Sequence, residues 1–241
     1  MKKVGILVCA GIAFGAAGSM LSAGATAADA YVVHGIPGND LGLDPHLPVD
    51  ISVDGACAFQ DVRLGDILGP APLEAGTYDV AITLADSANP CGGVLAVIDT
   101  VGISVAETAV LVANLDVNRA PRLSKFTTKT TPVDTDKARV TAYHTAAAPS
   151  VDLRVKPNGG GEVVAVIRGL ENGEQSFPAE LPAGAYLIRI FPSPARGAGS
   201  GHPVAEIPVD LGGGAAYALF AIGSVENETF EVVPLVIEPQ S

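Results

Sequence analysis

The chain repeats itself, and this limits what it can fold into more than any other feature. Ala30-Tyr31-Val32-Val33-His34 recurs as Ala138-Arg139-Val140-Thr141-Ala142-Tyr143-His144. Pro48-Val49-Asp50-Ile51-Ser52-Val53 recurs as Ser150-Val151-Asp152-Leu153-Arg154-Val155. Leu73-Glu74-Ala75-Gly76-Thr77-Tyr78 recurs as Leu181-Pro182-Ala183-Gly184-Ala185-Tyr186, and the run 108–115 matches 215–222. Each copy is expected to close on a strand from Phe to Pro, 126–132 in the first and 230–234 in the second. Anchors in one order at similar intervals define two units, 31–132 and 137–236, each of ordinary domain size. Only residues 133–136 are left to join them, so short a joint that it favours a fixed or narrowly hinged pair.

The units read as all-β. Val49-Asp50-Ile51-Ser52-Val53 and Val151-Asp152-Leu153-Arg154-Val155 alternate apolar and polar residues, as strands with one buried face do. Asp54-Gly55 and Asn158-Gly159-Gly160-Gly161 supply turns after them. With 28 Gly, 18 Pro and no Trp, the cores must be filled by Val, Ile, Leu and Ala. No stretch after the amino-terminal segment holds a helical period. Leu-x-Ala-Gly-x-Tyr before an alternating strand predicts a tyrosine corner, with Gly allowing the bend and the hydroxyls of Tyr78 and Tyr186 bonding back to the turn. The expected fold is two tandem immunoglobulin-like Greek-key β-sandwiches.

At these residues, Val-Val-His34-Gly-Ile-Pro, Pro48-Val-Asp50-Ile-Ser-Val-Asp-Gly and Leu-x-Ala-Gly76-x-Tyr78, the sequence resembles the bacterial domain-of-unknown-function family 4397. His144-Thr-Ala-Ala-Ala-Pro149-Ser-Val151-Asp152 carries the same marks in the second unit. The resemblance implies exported immunoglobulin-like β domains, often in tandem, in bacterial envelope or extracellular proteins. It implies no activity. Residues 35–46 depart from the shorter second copy as an insertion.

The amino end has the three parts of a secretory signal peptide: Lys2-Lys3, an apolar stretch, and Ala25-Thr26-Ala27 followed by Ala28-Asp29-Ala30. We expect residues 1–30 to be a leader cleaved after Ala27 or Ala30, with no membrane span in what remains. Beyond it two cysteines stay, Cys57 and Cys91. An even count in an oxidising compartment predicts one disulfide. Closing such a loop stabilises a fold by about 3–4 kcal/mol in the chain-entropy treatment.

Charge is uneven. Residues 28–118 hold thirteen acids and one base, Arg63; residues 119–139 hold six bases and two acids; from 140 onward there are eleven acids and five bases. A net charge of -12 opposes nucleic acid and anionic membrane surfaces. No nucleophile elbow, H-E-x-x-H, Walker or dinucleotide motif occurs, and Ser200 beside His202 lies in a Gly-rich loop. No cofactor is implied. His34 and His144, each followed by an acid on the next strand (Asp50, Asp152), predict a cross-strand His–Asp bond that holds register. Asp40 and Asp44 in the insertion are weak calcium candidates, since the set of six to eight oxygens is incomplete. Asn227-Glu228-Thr229 fits a glycosylation sequon. The first reading is therefore an exported, non-enzymatic structural or binding module with an unknown surface or extracellular partner. The alternatives are a cation-dependent adhesin using the acidic first unit, and an extracellular enzyme of unrecognised chemistry.

Overall fold

A computed structural model describes residues 28–45, 48–104, 108–193 and 201–237. Residues 1–27, which hold most of the expected leader, lie outside them. The first half runs β1 (Ala28–His34), a 3-10 turn (Gly38–Leu41), β2 (Val49–Val53), β3 (Ala56–Val62), β4 (Ile67–Leu73), β5 (Gly76–Leu84), β6 (Leu95–Ile103), β7 (Thr108–Leu115) and β8 (Pro121–Thr128). The second runs β9 (Lys137–His144), β10 (Val151–Pro157), β11 (Ala165–Leu170), β12 (Glu174–Gln175), β13 (Ala179–Pro182), β14 (Gly184–Pro192), β15 (Ala205–Leu211), β16 (Ala216–Ile222) and β17 (Glu231–Ile237). Apart from the single 3-10 turn, the regular structure of the described residues is all strand, packed as β-sandwiches.

Four sheets form. A first outer sheet has the order β3-β2-β5-β6 and a first inner sheet the order β4-β1-β7-β8. The second half gives an inner sheet β12-β9-β16-β17, with β13 also on β9, and an outer sheet β11-β10-β14-β15. The inner sheets each contain one parallel pair, β1 with β7 and β9 with β16; the other strand pairs are antiparallel. The two halves thus share one strand order.

Side-chain alternation explains how the sheets stack. Val32 on β1 and Leu111, Ala113 and Leu115 on β7 enter a core with Val49, Ile51, Val80 and Ile82 of the outer sheet. Their neighbours Tyr31, Val33, Val110 and Val112 point the other way, into a second core with Tyr143, Ala218, Phe220 and Ile222 of the second inner sheet. Beyond that sheet, Val140 and Leu219 join Leu153, Val155, Ile188 and Ile190 of the second outer sheet in a third core. The order of layers is outer, inner, inner, outer. All eight residues of β7 are buried, which is why Thr-Ala-Val-Leu-Val-Ala-Asn-Leu shows a continuous run where an ordinary half-exposed strand would alternate. At the centre of the middle core Tyr143 stacks on Phe220 with ring centroids 4.6 Å apart and meets Phe126 edge-on at 5.1 Å.

The joint is pinned. Gly214 N–H donates to Asp134 O and Lys137 O, and a Cβ at Gly213 would lie 1.9 Å from Thr135 O. The buried Arg139 donates to Thr131 O (2.6 Å) and to Glu180 (2.9 Å).

Three expected boundaries move. β1 begins at Ala28, three residues before the expected start of the first unit. The closing strands are Pro121–Thr128 and Glu231–Ile237, not the Phe-to-Pro segments. Phe126 lies opposite Val110 within β8, while Phe230 precedes β17, so these two aromatics are not equivalents. Finally, His34 is opposite Ala113 and His144 opposite Ala221, which pairs Thr108 with Ala216 across the halves instead of Ala215. In a strand, a slip of one residue exchanges the two faces, and here both faces are apolar, so the sequence match carried no warning.

Phe220→Ala removes the ring at the centre of the middle core and is expected to cost about 3–5 kcal/mol in urea denaturation. An unchanged midpoint would remove this contact from the account.

Candidate functional site

The recurring polar residues are the natural starting point. Asp50 on β2 is 2% exposed and faces away from the first core, since Val49 and Ile51 face into it. Its carboxylate accepts the N–H of Asp61 at 3.0 Å and that of Cys91 at 2.8 Å. Asp61 has φ 55°, in the left-handed region, at a break in the β2–β3 register. Asp152 on β10 repeats the device, accepting the N–H of Gly169 at 2.9 Å; Gly169 has φ 62° at the matching break between β10 and β11. A β-bulge leaves one amide out of the ladder, and a buried carboxylate satisfies it with a charge-assisted bond.

This corrects the expected His–Asp pairing. Asp50 and Asp152 hold backbone amides where His34 and His144 were expected. His34 and His144 are each 2% exposed at the ends of β1 and β9, and the Nδ1 of each has no hydrogen-bond partner. His144 Nε2 donates to Pro149 O at 3.0 Å, which leaves its Nδ1 the acceptor tautomer. Strand adjacency in sequence misled because β1 and β2 belong to different sheets of the sandwich. Burial lowers both imidazole pKa values, His34 to about 4 against a weaker opposing pull from Asp66, and His144 against the Pro149 bond and Glu174.

Cys57 and Cys91 form a disulfide with Cα atoms 5.6 Å apart. It ties β3 to the β5–β6 loop, the same loop whose Cys91 amide Asp50 holds. Tyr78 OH donates to Glu74 O at 2.9 Å and Tyr186 OH to Pro182 O at 2.8 Å, four residues upstream in both cases. These hydroxyls brace the turns into β5 and β14.

The insertion reaches across to the second half. Asp40 accepts a hydrogen bond from Asn227 Nδ2 and another from Thr229 Oγ1 at 2.8 Å, both in the second half. The two polar ends of the sequon are therefore used internally, and the Asp40 carboxylate bridges the halves. Asp44 supports the insertion through its backbone, whose carbonyl leaves no room for a Cβ at Gly38. Among the described residues no group of three His, Cys, Asp or Glu side chains is placed to hold a metal ion. Ser200, the hydroxyl beside His202, lies outside the described residues.

Sequence reasoning missed the polar seam between the halves. Asn172 Nδ2 donates to Leu115 O (3.0 Å) and to Ala146 O (2.6 Å), while its Oδ1 accepts from Arg122 at 2.6 Å. Arg119 lies 3.6 Å from Glu226, and Thr128 Oγ1 meets Tyr143 OH at 2.5 Å. Three of the six bases in the stretch 119–139, Arg119, Arg122 and Arg139, thus help to join the halves. A lone Asn in a turn gives no signal for this. The enclosed spaces are small: about 60 Å³ in the third core beside Leu153, Ile188, Leu219 and His144, and about 30 Å³ in the first.

Fold and polar residues together define a class: a four-layer stack of β-sheets whose recurring acids and tyrosines hold backbone. The model of the family Domain of unknown function (DUF4397) matches residues 28–154, and the chain belongs to that family. Comparison with curated proteins finds no match. Among solved structures, the Bacillus anthracis TIE protein is similar at 13% identity over 82% of this chain, with TM-score 0.27. The chain spans 34% of that protein's length. A "putative cell adhesion protein" from Bacteroides ovatus ATCC 8483 is similar at 9% identity over 90% of this chain and 99% of its own, with TM-score 0.24. Likeness at these scores carries no argument about this chain.

Asp50→Ala leaves the buried amides of Asp61 and Cys91 without acceptors and is expected to cost about 2–3 kcal/mol, with Asp50→Asn intermediate; equal stability of all three proteins would refute the clasp. The histidines give a pH signature. Their pKa values are lower folded than unfolded, so the unfolded chain binds more protons below 6.5. Stability is full above that pH and falls as pH drops toward 4. Denaturation between about pH 7.5 and 5 should show this fall, and His34→Gln should flatten it. A flat wild-type profile over that range would contradict the assignment.

Proposed function

We propose that the protein is an exported, non-enzymatic structural or binding module of the bacterial envelope or exterior. In this reading it is built from two tandem copies of the family's immunoglobulin-like Greek-key domain, one per half. The observation that carries it is the use of Asp50, Asp152, Tyr78 and Tyr186, the residues most suggestive of chemistry in the sequence, as backbone supports. The shared strand order supports the tandem reading, although the family match covers residues 28–154 alone. The Cys57–Cys91 disulfide supports an oxidising compartment. No helix among the described residues is long and apolar enough to cross a membrane.

Between the two cleavage sites, burial favours Ala27. Ala28 is 0% exposed and Ala30 3%, and both pair with β4 on one side, Ala30 with β7 on the other. Cleavage after Ala30 would cut three residues from an inner strand.

Amino-terminal sequencing of the protein from its native cell, with fractionation of envelope and medium, tests the reading. The expected result is a chain starting at Ala28, found outside the cytoplasm. A full-length chain in the cytoplasm would overturn export. Envelope binding is expected to survive a calcium chelator, because the Asp40 carboxylate is already engaged; binding lost on chelation would put the cation-dependent adhesin in its place.

A further inference from the structure

The two ends of the four-sheet stack carry opposite charge, and we propose that copies of the protein associate end to end. The outward face of the second outer sheet of one copy docks on the outward face of the first outer sheet of the next.

The basic end follows from strand alternation. Leu153, Val155, Ile188 and Ile190 enter the third core, so Arg154, Lys156 and Arg189 stand on the opposite face. Arg168 on β11 joins them, two residues beyond Val166, the partner of Arg154. These four are the Lys and Arg residues of the described chain after Arg139. Three acids share the face: Asp152 on β10, buried and held by the N–H of Gly169, and Glu206 and Asp210 on the edge strand β15, where Glu206 is bound to Arg189 at 2.6 Å. Arg154 and Arg189 are directly opposite each other in the β10–β14 register, both against the ring of Phe191, at 4.6 and 5.5 Å. Like charges opposite one another weaken a sheet, and an acidic surface laid over this face offsets that repulsion.

The other end is the reverse. β2, β3, β5 and β6 contain no Lys or Arg. Asp79 stands outward between Tyr78 and Val80 of the core, and Asp54 accepts its N–H at 2.8 Å. Asp61 is exposed at the bulge, and exposed Asp86 lies in the loop held over Asp50. The complementary faces lie at opposite ends of one molecule, so a contact between them is heterologous and builds a filament, or a ring where the rotation closes. A chain of net charge -12 repels its copies over most of its surface, which leaves the basic end as the place of attraction. The contact would extend a stack that the inner sheets already begin inside each molecule.

The proposal rests on the layer order and not on export, so the purified protein tests it wherever the cell keeps it. Sedimentation velocity should show oligomers that lengthen with concentration and weaken about tenfold or more between low and high salt. Lys156→Glu/Arg168→Glu, reversing one half-exposed and one exposed charge on that face, should give monomers, and so should Asp79→Lys/Asp86→Lys. Mixing the two variants restores opposite charge at both contacts and should restore assembly, which a folding defect would not. A wild type that stays monomeric throughout, or oligomers that both variants retain, would overturn the proposal. Monomers whose basic face instead retains polyphosphate, with retention lost in Lys156→Glu/Arg168→Glu, would overturn it in favour of a polyanion ligand.

Discussion

Around Tyr143 and Phe220, the inner sheets of the two halves press against each other through side chains that have no alternative place to go. β1, β7, β9 and β16 carry apolar residues on both faces, so each inner sheet needs a partner on each side. One side is covered by the outer sheet of the same half. The other can be covered only by the opposite half. A half standing alone would expose the Tyr31, Val33, Val110 and Val112 face to water, a patch of the kind that marks an interface. The short joint, residues 129–136, and the pinned turn at Gly213 and Gly214 are consequences of this contact, since the chain must pass directly from one inner sheet to the other.

The polar side chains serve the same arrangement. A β-bulge in each half is stabilised by a buried acid on the face averted from the core, Asp50 or Asp152, because an unpaired amide in a buried place is expensive. In the first half the same carboxylate also holds the amide of Cys91, so disulfide and clasp fix one loop from two directions. Around the rim of the inter-half core, Asn172, Arg122, Asp40, Asn227 and Thr229 satisfy backbone and side-chain groups that the contact would otherwise strand. The rim is polar and the centre apolar, as in interfaces between separate proteins.

The outer strands were legible in the sequence because they alternate: Val49 to Val53 and Val151 to Val155 declared both strand and buried face. Tyr78 and Tyr186 were legible because their partners lie four residues away. The inner strands read as strands but concealed their second buried face, since a continuous apolar run does not say what covers each side. The His–Asp pairing failed for a related reason. Order along the chain brings His34 near Asp50, but a sandwich sends consecutive strands to different sheets. Asp40 and Thr229 are separated by 189 positions, and no local pattern connects them. What local spacing encodes was readable; what only the packed layers bring together was not.

Hydrogen exchange under native conditions tests the central claim most directly, that the halves are one cooperative unit joined through the inner sheets. The amides of β1, β7, β9 and β16 are predicted to be the slowest and to exchange through a single common opening, with equal free energies in both halves. Separate openings, with β9 and β16 exchanging at a lower free energy while β1 and β7 stay protected, would mean that the halves fold independently, and the account would fail.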